Sequence, residues 1–318
     1  MGWPTLAGIG LPAFCVPEER GGFGLRADAA AASATELGAA LHGAPFAGLT
    51  ASAHALAQIT GDAVVDELLE GILGGERICA FGRLSPDDGT GTRTARQVDG
   101  APAADALLLL DPRRERALLF TDPADWQSRP LTDSFDVSRS GADVTVPVGA
   151  GRELELGALG HAVELYHLLL AADALGSVRR MLDRTVAYAA QRHTFGRPIG
   201  ATQAVQHRLA DHAVRARGMS LLVAEAVRHF DPAASGDTAP PDEGGGIARW
   251  VSLAGLSVSS GAPHLLHDLL QLTGGIGFTW EYGLHFHERR VRQDARLAAN
   301  PRAALRSLVL SEGWTNVR

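Results

Sequence analysis

The spacing of apolar and polar residues changes character twice along the chain. Residues 1 to about 75 are Ala-rich and read as helical in "RADAAAASATELGAALH" and "ASAHALAQITGDAVVDELLEGIL", while "VPEERGGFGL" supplies a Pro and a Gly-Gly turn. From about 76 to 155, short β-prone runs such as "ALLLL", "ALLF" and "DVTVPV" alternate with "SPDDGTG", "DPRRER" and "DPADWQSRP". Strands punctuated so closely by Gly, Pro and Asp predict a small β-domain, with "ALLLLDPRRERALLF" as a hairpin. Beyond 158 the helical period returns. Residues 161–192 predict one helix, roughly 45 Å long at about 1.5 Å per residue. Further helices follow over about 200–230, over 246–272 and from near Leu284, with the polar stretch "DPAASGDTAPPDEGGG" as a loop between the second and third. Four long helices with apolar stripes predict a bundle.

Composition narrows the classes of function. A chain of 318 residues can hold two or three domains, and its net charge of −7 argues against nucleic acid as the main partner, because phosphate binding wants a basic surface. All 29 basic residues are arginine, which with the Ala and Gly content suits a GC-rich genome. Cys15 and Cys79 are the two cysteines and read as buried thiols of a cytoplasmic chain. Glu, Asp and His break every apolar stretch well short of a membrane span, so no membrane span is expected.

Two segments carry candidate chemistry. In "QRHTFGRPIGATQAVQHRLAD", Arg192, Phe195, Gly196 and Pro198 stand directly before a helix with Gln203 and Gln206. In "QLTGGIGFTWEYGLHFHERR", Gln271 precedes Gly274-Gly275 and Gly277. A Gly-Gly after a helix serves as a C-cap, or lets backbone N–H groups approach a phosphate. Together the segments resemble the C-terminal domain of the acyl-CoA dehydrogenase family, whose "R-x-x-F-G-x-x-[IL]" plus Gln and "Q-x-x-G-G-x-G-F" bind FAD. The N-terminal "VPEERGGFGL" resembles the same family's "P-E-E-x-G-G-x-G".

The resemblance implies an α+β, mainly α fold: a shortened helical domain over 1–75, a reduced β-barrel domain over 76–157 and a four-helix bundle over 158–318. It also implies that the bundle segments reach across a subunit interface to a neighbour's FAD. Arg192 would neutralise pyrophosphate charge with its guanidinium fork, and Thr194 and Phe195 would line the nucleotide half. Gln203 and Gln271 would supply amide hydrogen bonds, and Gly274 and Gly275 would bring backbone close to the diphosphate.

Other family features are missing. The family abstracts an α-proton from an acyl-CoA with a carboxylate, which must lie within hydrogen-bond reach. In many members that Glu follows the Asp of "R-D-A-K" by eight residues; here "QDAR" supplies Asp294, and the same count lands on Arg302. Other members place the Glu on the first bundle helix, where "YHLLLAADALG" puts Tyr166, a poor base near its ordinary pKa. Glu164, two residues upstream, faces elsewhere on the helix. The flavin-cradling "T-E-x-x-x-G-S-D" and "K-x-W-I-T" segments have no equivalents, and Trp126 reads as packing.

The expectation is therefore the FAD-clamp subunit of a heteromeric α2β2 acyl-CoA dehydrogenase, a kind of assembly found in actinobacterial steroid catabolism. A homologous partner would supply the base, and an electron-transfer flavoprotein would accept the electrons. Two rivals stay open: a self-sufficient dehydrogenase with its base relocated to Glu164, Asp173 or Glu281, and a flavin-free structural subunit. His285, His287 and Glu288 lack metal-ligand spacing, and His207 and His212, five apart, are expected to be solvated.

Overall fold

The structure, a computed structural model, describes residues 3–111, 116–155, 160–230 and 246–298, with 305, 308 and 309. The expected hairpin tip at 112–115, the polar loop at 231–245 and Arg302 lie outside the described residues. The chain forms two compact units, Met1–Ala30 with Gly43–Tyr166, and Ala31–His42 with His167–Arg318.

In the first unit, helices α1 (Trp3–Gly8), α3 (Phe46–Ala57) and α4 (Ala63–Leu73) accompany seven strands and the start of α2 (Ala27–Ala39). Every residue of α3 is buried, as its run of small and apolar side chains requires. The helical stretch expected over 51–73 is broken at Gly61 (φ +75°). There Asp62 caps α4 by accepting hydrogen bonds from the N–H groups of Val64 (3.1 Å) and Val65 (3.3 Å).

Strands β1 (Cys79–Arg83), β3 (Ala106–Asp111), β4 (Arg116–Phe120) and β7 (Arg152–Glu155) form one sheet. A second sheet contains β2 (Thr92–Asp99), β6 (Gly141–Pro147) and β5 (Gln127–Pro130). β3 and β4 form the expected antiparallel hairpin, with Leu109 opposite Leu118, and a bridge between Leu84 and Ala95 joins the sheets. Leu107, Leu109, Phe120, Val98, Val144 and Trp126 share their core, each such burial contributing about 1.5–3 kcal/mol. Within this unit Arg93 and Asp111 make a buried bidentate pair at 2.6 and 3.0 Å. Cys15 and Cys79 are buried free thiols, and burial pushes Cys79 up to about 12, which removes it as a nucleophile.

The second unit is built from α5 (Gly160–Gln191, from His167 on), α6 (Gln203–Phe230), α7 (Gly246–Thr273) and α8 (Leu284–Leu297), with the end of α2. α6 and α7 pack antiparallel. His229 stacks on Trp250 at 4.9 Å at one end, and Arg208 and His212 meet Asp268 toward the other. His212 was expected to be solvated; it is buried, with Nε2 2.6 Å from Asp268, because it lies one turn from Arg208 on the face that meets α7.

α2 and α5 cross at van der Waals contact of their backbones. A Cβ on Gly38 would lie 2.0 Å from the Asp173 carbonyl oxygen, and one on Gly176 would lie 1.9 Å from that of Thr35. Beneath this crossing, fully buried Arg290 donates to the Asp173 carboxylate (3.2 Å) and to the His42 carbonyl (2.9 Å). Ser177 donates to the Gly38 carbonyl (3.1 Å), so its single proton is used and His287 Nδ1 donates to the Ser177 Oγ at 3.0 Å. Burial first, then the neighbouring Arg290 charge, pushes His287 down to about 4. Among the described residues no helix is long and apolar enough to cross a membrane.

Candidate functional site at one end of the helical unit

α5 ends in a short hairpin. The Arg192 N–H donates to the Tyr188 carbonyl at 2.8 Å, and β8 (His193–Thr194) pairs with β9 (Arg197–Pro198). The two turn residues, Phe195 (φ +51°) and Gly196 (φ +78°), are both left-handed, as a two-residue hairpin demands. Glycine adopts this freely; a bulky phenylalanine does so at a cost on the order of 1–3 kcal/mol, and the Phe195 ring is fully exposed. Thr194 is exposed on the same hairpin. Arg192 and Arg197 are exposed and make no side-chain ion pair with the described residues. After a 3-10 turn at Ile199–Ala201, α6 begins at Gln203, also exposed.

α7 ends at Thr273, and a 3-10 turn, Gly274–Phe278, follows. Gly274 has φ +64°, which a side chain would strain, whereas Gly275 lies outside the left-handed region and a Cβ built there meets nothing within 4 Å. Gln271, Gly274 and Gly275 are exposed, as are Phe278 and Trp280, the latter at 72%.

These segments are brought to the same end of the unit by two sets of contacts. Arg208, in the second turn of α6, pairs with Asp268 near the end of α7, with its Nε at 2.9 Å. Burial works to raise the Asp268 carboxyl, but hydrogen bonds from Arg208 and His212 outweigh it and hold the group below its ordinary value. On the other side, the Arg184 guanidinium sits 4.4 Å from the Tyr282 ring centroid, and Tyr188 meets that ring edge-on at 5.8 Å. The end therefore presents two exposed arginines with no ion pair among the described residues, a glycine turn with open space and exposed aromatic rings. That combination suits an anionic ligand with a planar group.

The expected base positions fall elsewhere. Tyr166 is buried in the first unit, its ring 5.0 Å from that of Phe81. Glu164, partly buried in that unit, has its carboxyl raised by burial. Asp173 is committed to Arg290, and Glu281 is exposed with its backbone carbonyl accepting from Arg184 at 3.2 Å. His285, His287 and Glu288 point to different partners, an aromatic cluster, Ser177 and Arg292 respectively. Trp126 is a core residue of the sheets.

The Arg184–Tyr188–Tyr282 contact went unread in the sequence. Arg184 and Tyr188 lie four residues apart on one helix face, but nothing local indicates which ring they meet nearly a hundred residues later.

Helices, two small sheets and a unit of long helices are an architecture shared with known proteins. The family model described as acyl-CoA dehydrogenase, C-terminal domain, matches residues 160–298. The acyl-CoA dehydrogenase IpdE2 of Mycolicibacterium smegmatis is 30% identical over 300 residues, covering 94% of this chain and 84% of the relative. The fold is shared with the Tcur3481–Tcur3483 steroid ACAD (TM-score 0.81, 24% identity, 99% of this chain and 89% of that one). It is shared equally with the ChsE4–ChsE5 complex from Mycobacterium tuberculosis (TM-score 0.78, 23% identity, 99% and 88%). The chain belongs to the acyl-CoA dehydrogenase family.

Proposed function

We propose that this chain is one subunit of a heteromeric, FAD-dependent acyl-CoA dehydrogenase, an α2β2 assembly in which it holds the nucleotide half of FAD. The partner, a homologous chain, supplies the catalytic base. The observation that carries this reading is the open end of the helical unit. There Arg192 stands exposed with no side-chain ion pair among the described residues, and the glycine turn that carries Gly275, where a Cβ meets nothing within 4 Å, lies at the same end.

The residues present fit the group in question. In this reading Arg192, which is exposed, would meet the diphosphate, Gly274 and Gly275 would let backbone N–H groups approach it, and Thr194 and Phe195 would line the nucleotide. Gln203 and Gln271 open and close the adjoining helices with exposed amides. Bound there, FAD supplies the hydride acceptor for α,β-dehydrogenation of an acyl-CoA thioester. A steroid-derived acyl group is favoured by the likeness to a steroid ACAD. A two-chain assembly is favoured by the likeness to the ChsE4–ChsE5 complex, and an electron-transfer flavoprotein is the natural electron acceptor. Division into a helical domain over 1–75, a β-domain over 76–157 and a bundle over 158–318 belongs to the same proposal.

A second reading is favoured by one observation, the raised carboxyl of Glu164, since a carboxylate nearer neutral pH is a better base. In that reading the chain is catalytic. Glu164→Gln in the FAD-loaded assembly decides between them. The subunit reading expects turnover of an acyl-CoA within several-fold of wild type, whereas loss of a general base reduces the rate by about 10²–10⁴-fold. A loss of that size with flavin and assembly mass intact makes Glu164 the base and refutes the division of labour.

A further inference from the structure

We propose that Tyr282 is a positioning residue that fixes the spacing between the Arg192 hairpin and the Gly274–Gly275 turn, so that both segments engage one ligand. This rests on the reading of that end as an FAD-nucleotide site and identifies what holds its two halves in register.

An unbroken set of contacts runs from one half to the other. The Arg192 N–H donates to the Tyr188 carbonyl at 2.8 Å, so the hairpin is pinned directly to the last turn of α5. Tyr188 meets the Tyr282 ring edge-on at 5.8 Å, and one turn earlier the Arg184 guanidinium covers the same ring at 4.4 Å. The Tyr282 hydroxyl donates back to the Arg184 carbonyl at 3.4 Å, and Arg184 donates to the Glu281 carbonyl at 3.2 Å. The far side of the set reaches the glycine turn. The Tyr282 N–H donates to the Thr279 Oγ1 at 3.3 Å, and that hydroxyl donates to the Ile276 carbonyl at 3.0 Å.

Tyr282 is buried, while the residues it spaces, Arg192 on one side and Gly274 and Gly275 on the other, are exposed. A cation over a ring with an edge-on neighbour favours one ring orientation, whereas a chain terminus or loop held by backbone bonds alone adopts several. Each of the two segments is held by backbone bonds of its own, and the Tyr282 contacts are what join one to the other. Tyr282 touches neither the cofactor nor substrate in this arrangement and acts through the turn.

The test measures FAD affinity by flavin-fluorescence titration of the assembly that binds FAD, for Tyr282→Ala, Tyr282→Phe and Arg184→Met, each alone and combined with Arg192→Ala. Tyr282→Phe keeps the ring and loses the hydroxyl's bonds to the Arg184 carbonyl and Thr185, so its affinity should stay within about twofold of wild type. Tyr282→Ala should weaken binding about tenfold, and Arg184→Met, whose side chain is exposed and leaves the core intact, by about threefold or more. In the Arg192→Ala background both losses should shrink markedly, because a spacer matters only while both halves grip the ligand. Equal factors in the two backgrounds, or unchanged affinity for Arg184→Met together with a Tyr282→Ala protein that folds and binds normally, overturn the proposal. If Tyr282→Ala fails to fold, Arg184→Met and its double variant carry the same decision. If Arg192→Ala alone leaves FAD affinity unchanged, the nucleotide-site reading itself is the part that fails.

Discussion

Two arginines of the helical unit, Arg290 and Arg192, occupy opposite situations. Arg290 is fully buried and paired: the Asp173 carboxylate and the His42 carbonyl accept from it, beside a second network of His287, Ser177 and the Gly38 carbonyl. Arg192 is exposed at the end of a helix, has no side-chain ion pair among the described residues and is followed three residues on by a strained, fully exposed Phe195. Glycines divide the same way. Gly38 and Gly176 are demanded by backbones that touch them within the chain, whereas Gly275 meets nothing. Where polar groups and glycines are explained by their own neighbours they build the fold. At Arg192 and Gly275 the proposed function assigns the missing neighbour to a bound nucleotide.

Substitutions at the two places should separate cleanly. Arg290→Ala removes the guanidinium from the buried Asp173 carboxylate and should lower folding stability by about 3–5 kcal/mol, measured by denaturant unfolding. A loss under about 1 kcal/mol would mean the pair is solvated and not part of the core.

The neighbouring histidine gives the next largest effect. His287 is held neutral in the fold, down to about 4 against an ordinary value of 6.5. Below pH 6.5 the unfolded chain takes up a proton that the folded chain refuses. Stability is therefore fully present above pH 6.5 and falls as the pH drops toward 4, by on the order of 3 kcal/mol in all. His287→Asn, which keeps a donor toward Ser177, should flatten that part of the stability–pH curve. An identical slope in the variant assigns the acid sensitivity to other groups.

Arg192→Ala should do the reverse of Arg290→Ala. Unfolding stability should stay within about 0.5 kcal/mol of wild type, while FAD retention weakens by about 1.5–3 kcal/mol, the scale of a hydrogen bond to a charged group. Arg192→Lys should recover only part, since an ammonium lacks the fork. Loss of stability without loss of FAD would erase the contrast between the two arginines.

The order of elements was legible because it is written locally, as are the two segments to which the proposed clamp is assigned. Helical period over 161–192, the Gly-rich punctuation of the strands and the Arg192–Gln203 and Gln271–Gly275 segments each lie within one stretch of sequence. The split between α3 and α4 was less so. It rests on a positive φ at Gly61 and a cap by Asp62, signals that weigh little against a long Ala- and Leu-rich run. The burial of His212 and the commitment of Asp173 to Arg290 could not be read at all. Each depends on a partner 56 or 117 residues away, and the sequence carries no period that links them. The same distance hid Tyr282, whose ring meets α5 through contacts made only after the unit has folded.

The central claim is that this chain holds half of an FAD site and a partner chain holds the rest. The most direct measurement is the flavin absorbance of the chain purified alone and of the chain co-purified with a co-expressed family partner, each scaled to protein mass. The account predicts almost no flavin in the chain alone and about one FAD per unlike pair, because Arg192 and the Gly274–Gly275 turn meet only the nucleotide half. One FAD per chain in the protein purified alone would contradict it, as would an unlike pair that forms and carries none.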